Sequence, residues 1–265
     1  MGDGDAAFVG RIPEIYERLL VPLVFAEPAR HLAAAVLEGA PHDVLETAAG
    51  TGVLTRALLA GGAVRITATD LNEPMLRAAE ELCPSDRVRW QVADALALPE
   101  PDASYDAVAC QFGVMFFPDK VRGYAEARRV LRPGGSFHFN AWDRVEANPA
   151  WCVVSDALNA ASTDVPLLFL RRMPYSYHDP DVIARHLEQA GFEETTVARM
   201  TGTSVSDAAT TATAICQGTP LRAEIEAHPV LDVDRATEIA TEALVREYGD
   251  GTFEARISWF QASAA

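Results

Sequence analysis

The chain has 265 residues, 49% of them apolar, with a formal net charge of −16 and a sequence pI near 4.7. That length buries a full core and that composition is too apolar for disorder; the negative charge argues against nucleic acid, whose phosphates are met largely by Lys and Arg. Cys83, Cys110, Cys152 and Cys216 lie far apart and form no CxxC or His/Cys cluster. Neither a metal site nor a disulfide framework is therefore expected, and free thiols point to a reducing, cytoplasmic setting.

Met1-Gly2-Asp3-Gly4-Asp5 is acidic, lacks the basic start of a secretory leader and reads as a tail. No apolar run looks long enough to span a membrane. Residues 8–38 read as two helices punctuated by Pro13, Pro22 and Pro28. A strong alternation of strand and helix follows. Strands are expected at His42 to Thr47, Val64 to Thr69, Val88 to Ala93, Tyr105 to Gln111 and Ser136 to Trp142. Helices are expected at Val53 to Ala60, from Asn72 (as N-cap) through Met75, Leu76 and Ala79, and at Val121 to Leu131, ending at Arg132-Pro133-Gly134-Gly135. Such βα units imply an α/β, doubly wound, mostly parallel sheet with helices on both faces.

Residues 146–178 break this rhythm and are rich in proline and aromatics, so they read as an insert after the fifth strand. Asp179-Pro180-Asp181 opens a helix that runs through Ile183 and Leu187 to Gly191. Phe192 to Met200 reads as a sixth strand, Ala208 to Ala227 and Val233 to Tyr248 as helices, and Arg256 to Gln261 as a last, edge-like strand. The expected organisation is one domain over 1–265: a core at about 40–145 and 179–265, N-terminal cap helices at 8–38, and a substrate-covering insert at 146–178.

The chemistry concentrates at three strand ends. Glu46, Asp70 and Asp94 follow one another at intervals of 24 residues. In a parallel sheet each βα unit returns to the same edge, so all three acids share the carboxyl edge where such sheets bind ligands. Glu46 opens the small-residue turn Thr47-Ala48-Ala49-Gly50-Thr51-Gly52, where backbone can approach a ligand. A carboxylate after the second strand suits the two hydroxyls of a ribose, and one after the third suits an exocyclic amine. The turn lacks the G-x-G-x-x-G register of pyrophosphate dinucleotide sites, and Glu46 would repel a pyrophosphate. A cationic, adenosine-bearing ligand fits better.

These residues resemble the class I S-adenosylmethionine-dependent methyltransferases, in their small-molecule, ubiquinone/menaquinone-biosynthesis-like (methyltransferase type 11) branch. The resemblance rests on Val44 to Gly52, Thr69-Asp70-Leu71 with Met75, Ala93-Asp94-Ala95-Leu96, Tyr105-Asp106-Ala107-Val108, Gln111-Phe112-Gly113 and Leu131-Arg132-Pro133-Gly134-Gly135. It is close over residues 40–142 and loose elsewhere. Ala48 and Ala49 stand where Gly and a small residue such as Cys are usual. The resemblance implies a Rossmann-like, seven-stranded sheet whose last strand is antiparallel, S-adenosyl-L-methionine as cofactor and S-adenosyl-L-homocysteine as product.

It also implies site residues. Glu46, Thr47, Ala48, Gly50, Thr51 and Gly52 would cradle the methionine part. Asp70 would bind the ribose, with Leu71 and Met75 near the adenine. Asp94 would meet the adenine amine, with Ala95 and Leu96 supplying backbone contacts. Gln111 and Phe112 would floor the sulfonium, and Tyr16 would fold over the cofactor. Met115, Trp142 and Tyr175 are candidates for the acceptor side.

Methyl transfer needs a general base only when the acceptor must lose a proton. His178 and His138 are the candidate bases. His138 alternates with Phe137 and Phe139 as a core residue would, and His178 precedes a helix cap whose turn it can satisfy. Trp151, Phe169, Tyr175 and Tyr177 either line an acceptor pocket or form the insert's own core. Arg171-Arg172 reads as a solvated turn. The leading function is methyl transfer to a small molecule. The alternatives are a cofactor-binding scaffold or sensor without turnover, and an RNA or protein methyltransferase. Against the last, the [DNS]-P-P-[YF] tetrapeptide of amine-methylating nucleic-acid enzymes is absent; Gln111-Phe112-Gly113-Val114 stands in its place. Nothing in the sequence speaks to oligomeric state.

Overall fold

The computed structural model describes Phe8, Gly10, residues 12–162 and residues 165–265; the acidic N-terminal tail lies outside them. Seven strands form one sheet: β1 (Asp43–Thr47), β2 (Arg65–Asp70), β3 (Val88–Val92), β4 (Tyr105–Gln111), β5 (Leu131–Trp142), β6 (Thr195–Ser206) and β7 (Phe253–Ala264). Their order is β3-β2-β1-β4-β5-β7-β6. β1 pairs in parallel with β2 and β4, and β7 runs antiparallel to both β5 and β6.

The central strands are buried on both faces, which explains their near-continuous apolar runs. Val44, Ile66, Ala68 and Ala107 pack on one face against α2 (Val53–Gly61) and α3 (Glu73–Leu82). Leu45, Val108, Phe137 and Phe139 pack on the other against α4 (Lys120–Val130) and α7 (Pro180–Gln189). The alternation of Val44 and Leu45 between faces is the two-residue period of a strand.

Several sequence expectations are corrected. Residues 12–38 form a single continuous helix, α1 (Ile12–Glu38), not two. Its middle, Tyr16–Phe25, is a π-helix with Pro22 inside. Proline removes an N–H and crowds the carbonyl one turn back, and the wider π turn accommodates both. Pro13 falls in the first turn of the helix, where the missing N–H costs little, and Pro28 lies just beyond the end of the π segment. Second, α1 is long and apolar enough, by length and composition, to cross a membrane. Its apolar residues, among them Leu20, Val24, Leu32 and Val36, are spent on the core.

Third, β7 is not an edge strand. It lies between β5 and β6, spans twelve residues and buries Ile257, Trp259 and Phe260. β6 is the edge. Fourth, Asn72 holds the N-cap position of α3 without capping it, because its side chain donates to Asp70 and accepts from Phe8 N. Asp179, by contrast, caps α7 as expected, accepting from Asp181 N and Val182 N.

The stretch expected as one helix from Ala208 is two, α8 (Ala208–Gln217) and α9 (Leu221–Glu226), broken at Gly218-Thr219-Pro220. The insert supplies α5 (Pro149–Ala161) and the short α6 (Phe169–Arg172). α5, α8 and α10 (Val233–Tyr248) pack together over the end of β7, so the β6–β7 connection and the insert build one helical layer.

At the opposite, amino end of the sheet, Asp106 ties three segments together. Its Oδ2 accepts from His42 N and Asp43 N at 2.9 Å each, and its Oδ1 accepts from Arg132 at 2.5 Å. Burial alone would raise its pKa, but the Asp43 and His42 amides and Arg132 outweigh it and hold the carboxyl down at about 2. A depressed carboxyl contributes stability that is complete above its unfolded value and lost as pH falls through the folded one. Asp106→Asn should therefore destabilise the fold at neutral pH by about 1–2 kcal/mol. Urea titrations at stepped pH check this: the gap between wild type and variant should close between about pH 4 and pH 2.

Candidate active site

The turn after β1 is built from left-handed backbone. Ala48, Gly50 and Gly52 have φ of 53°, 57° and 78°. Asp70, at the end of β2, holds the turn open: its Oδ2 accepts from Gly50 N at 2.9 Å, while its Oδ1 accepts from Asn72 N at 2.8 Å. The two glycines serve different ends. A Cβ on Gly50 would meet only the Met75 methyl, at 3.5 Å, and Gly50 faces open space. A Cβ on Gly52 would come within 2.8 Å of the Trp90 ring, so Gly52 is small for packing and not for a ligand.

Beside this turn lies a cavity of about 200 Å³ at the carboxyl edge, where the strand order reverses between β1 and β4. Tyr16, Ala48, Gly50, Asp70, Leu71, Met75, Asp94, Ala95, Leu96, Gln111 and Phe112 all line it. Asp70 is 8% exposed, and burial raises its pKa against the pull of the Asn72 and Gly50 amides. Asp94 is exposed, with Oδ1 accepting from Leu96 N at 2.9 Å. Gln111 donates to the Phe25 carbonyl at 2.8 Å, where the π segment of α1 ends.

Glu46, Thr47, Thr51 and Gly52 do not line the cavity. Glu46 sits beneath the turn, 1% exposed, and accepts from Thr55 Oγ1 at 2.5 Å. Burial pushes its pKa up to about 8, more than Thr55 and Arg56 pull it down. Its carboxyl is thus mostly protonated at neutral pH, which corrects the picture of a standing negative charge at the turn. Thr51 is turned away and donates to Glu17 of α1 at 2.5 Å; Arg56 pairs with the same carboxylate at 2.7 Å. This latch fixes α1 against the turn and so fixes Tyr16 over the cavity.

A second, smaller cavity of about 60 Å³ adjoins the first. Met115, Trp142 and Tyr175 all line it, together with Trp151 and Phe169 of the insert. Tyr16, Phe112 and Phe116 line both cavities and form the wall between them. Phe112 stacks on Trp142 with centroids 3.9 Å apart and planes 10° apart, and Tyr16 stacks on Phe25 at 4.9 Å. Phe112 also has a left-handed φ of 50°, held by its N–H to the Asn140 carbonyl. A bulky residue in that region stores strain, which collects at functional sites. Burial raises the pKa of both Tyr16 and Tyr175 well above the usual phenol value.

Neither histidine reaches a cavity. His138 lies within the sheet between Ser136 Oγ at 2.8 Å and Ser263 Oγ at 2.9 Å, and burial lowers its pKa to about 4. His178 is exposed, and its Nδ1 donates to the Tyr175 carbonyl at 2.8 Å. Tyr177 turns to Tyr124 and His186 instead of the second cavity. Arg171 is ion-paired with Glu146 and Asp156. Among the described residues no cluster of His, Cys, Asp or Glu has the makings of a metal site.

Several lining residues escaped the sequence reading. Asn72 is expected only as a cap, Phe116 and Phe117 carry no motif, and Leu20, Thr219 and Pro220 come from segments remote in sequence. The run Gly113 to Pro118 directly follows Gln111-Phe112, and that adjacency was the available signal.

Residues 44–135 match the family model described as a methyltransferase domain. The chain is 34% identical over 182 residues to the ubiquinone/menaquinone biosynthesis C-methyltransferase UbiE of Acidiphilium cryptum, covering 63% of this chain and 73% of that one. It is 41% identical over 109 residues to the demethylmenaquinone methyltransferase of Deinococcus radiodurans, covering 40% of this chain and 45% of that one. Among solved structures, the fold is shared with Haemonchus contortus phosphoethanolamine N-methyltransferase 2 bound to S-adenosylhomocysteine. That match has a TM-score of 0.55 at 15% identity, covering 97% of this chain and 61% of that one. With the ordered motifs, the reversal-point cavity and these relatives together, the chain belongs to the class I S-adenosylmethionine-dependent methyltransferases that act on small molecules.

Proposed function

We propose that the larger cavity takes S-adenosylmethionine through the residues that line it, and that the smaller, aromatic cavity takes an apolar, ring-sized methyl acceptor. The carrying observation is that the cofactor residues expected from the motifs, apart from the four beneath or beside the turn, surround one space, while Met115, Trp142 and Tyr175 surround the next.

The donor set fits the cofactor. Asp70 faces the cavity with three protein donors on its carboxylate: Gly50 N, Asn72 N and Asn72 Nδ2 at 3.1 Å. The last is a side-chain bond that a ribose hydroxyl can replace, leaving the turn intact. Asp94 keeps one oxygen for an adenine amine, and Leu71 and Met75 offer apolar contact to the ring. The bound cofactor supplies an electrophilic methyl on a positive sulfur. Phe112, Tyr16 and Phe116 set the direction from which an acceptor atom meets that methyl, and their rings limit the water between the two cavities. Aromatic faces beside a sulfonium add cation–π attraction.

Among the described residues none that lines either cavity is a histidine, lysine or arginine, and burial keeps the Tyr16 and Tyr175 phenols protonated at neutral pH. On this reading the acceptor atom meets the methyl without a histidine or lysine base among the described lining residues. Ring-sized apolar acceptors agree with the quinone-pathway names of the relatives. The unpaired cysteines suit a reducing compartment, and a cytoplasmic location is part of this reading.

Calorimetry with S-adenosylhomocysteine tests the cofactor site: the wild type should bind, and Asp70→Ala should weaken binding at least about tenfold. No binding at high micromolar ligand overturns the assignment. Glu46 generates a second expectation. A cation bound near it favours its ionised form, so binding should release protons at neutral pH. Affinity should strengthen from about pH 6 toward about 8 and level off above, where the free carboxyl is already ionised. Titrations in buffers of different ionisation heat measure the protons, and Glu46→Gln should reduce their number.

A further inference from the structure

The strip Gly113 to Pro118 separates the two cavities, and one side chain holds it from behind. Lys120 is the sole lysine of the chain; every other residue in the Lys and Arg total of 22 is arginine. Its Nζ donates to the Phe117 carbonyl at 2.8 Å and to the Met115 carbonyl at 3.1 Å. The same ammonium lies 5.1 Å from the centre of the Tyr177 ring. Tyr177 is itself held by Tyr124 at 3.2 Å and by His186 Nδ1 at 2.9 Å.

We propose that Lys120 is a positioning residue for methyl transfer: by gathering the Met115 and Phe117 carbonyls it fixes the wall between cofactor and acceptor. The proposal rests on the cofactor and acceptor reading above. Met115 lines the acceptor cavity, Phe117 the cofactor cavity, and Phe116, between them, lines both. Their carbonyls end the 3₁₀ turn Val114–Phe116, and turn ends leave acceptors that need donors. A cation in the first turn of α4 is disfavoured by the helix dipole, and burial lowers the pKa of this one. Its place is therefore not explained by helix stability. The chemistry also separates it from arginine. A compact ammonium points three donors in tetrahedral directions, matching two carbonyls and one ring face, whereas a guanidinium is a planar fork.

Lys120→Met keeps the apolar stem and removes the donors. It should bind S-adenosylhomocysteine about tenfold more weakly than wild type by calorimetry. A wild type that binds while Lys120→Met binds within twofold of it overturns this inference and leaves the cofactor reading standing. A wild type that does not bind removes both. Lysine-selective ¹³C labelling gives a second readout in the unmodified protein, where one side-chain lysine signal is expected. That signal should move when S-adenosylhomocysteine saturates the site. A signal that stays put assigns Lys120 a purely structural role and overturns the proposal, whether or not the variant folds.

Discussion

The Ala48–Gly52 turn places three residues of five in left-handed backbone, and the rest of the site is arranged around holding it there. An alanine in that region is strained by roughly 1 kcal/mol or more. Asp70 anchors the turn from β2, Trp90 covers Gly52 from β3, and Glu17 of α1 ties down Thr51. On the fourth side Ala48 packs so close to Gly113 that a Cβ at 113 would collide with it. The turn is thus enclosed by segments from four parts of the chain. Its geometry, and with it the approach of ligand to backbone, belongs to the whole carboxyl edge.

The same segments explain why the two cavities are neighbours and yet distinct. Phe112 leaves β4 in a conformation that throws its ring onto Trp142 of β5, and α1 lays Tyr16 and Phe25 beside that stack. Among the described residues the partition is aromatic on both sides and holds no histidine, lysine or carboxylate side chain. Selectivity then rests on shape and desolvation, which suits a reaction in which the electrophile is already charged and the protein has little covalent work to do.

The central strands were legible because they are buried on both faces and regularly spaced; β4 matched to the residue. Asp70, Asp94 and the turn could be read because each stands at a strand end, where topology alone decides its edge. The parts that were not legible depend on packing between distant segments. Pro22 looks like a break until the π turn absorbs it. β7 looks like an edge because neighbours along a sheet are not neighbours along the chain. Glu46 carries a full charge on paper and a protonated carboxyl under Thr55 and the turn. The smaller cavity draws on α1, the insert and the α8–α9 break together, which no local pattern announces.

The placement of β7 has a consequence for how the chain is made. β6 is synthesised before β7 but can join the sheet only through it, because β7 supplies the ladder on one side of β6 and bridges it to β5. While α8, α9 and α10 emerge, β6 is twelve residues of strand with both edges unpaired and Arg199 as its only charged residue. The strands β1 to β5 have all their mutual partners by then. Nascent chains should thus pass through a stage with a formed nucleotide half and an exposed, sticky strand. That interval, and not the finished protein, is where recruitment of a folding chaperone would matter most.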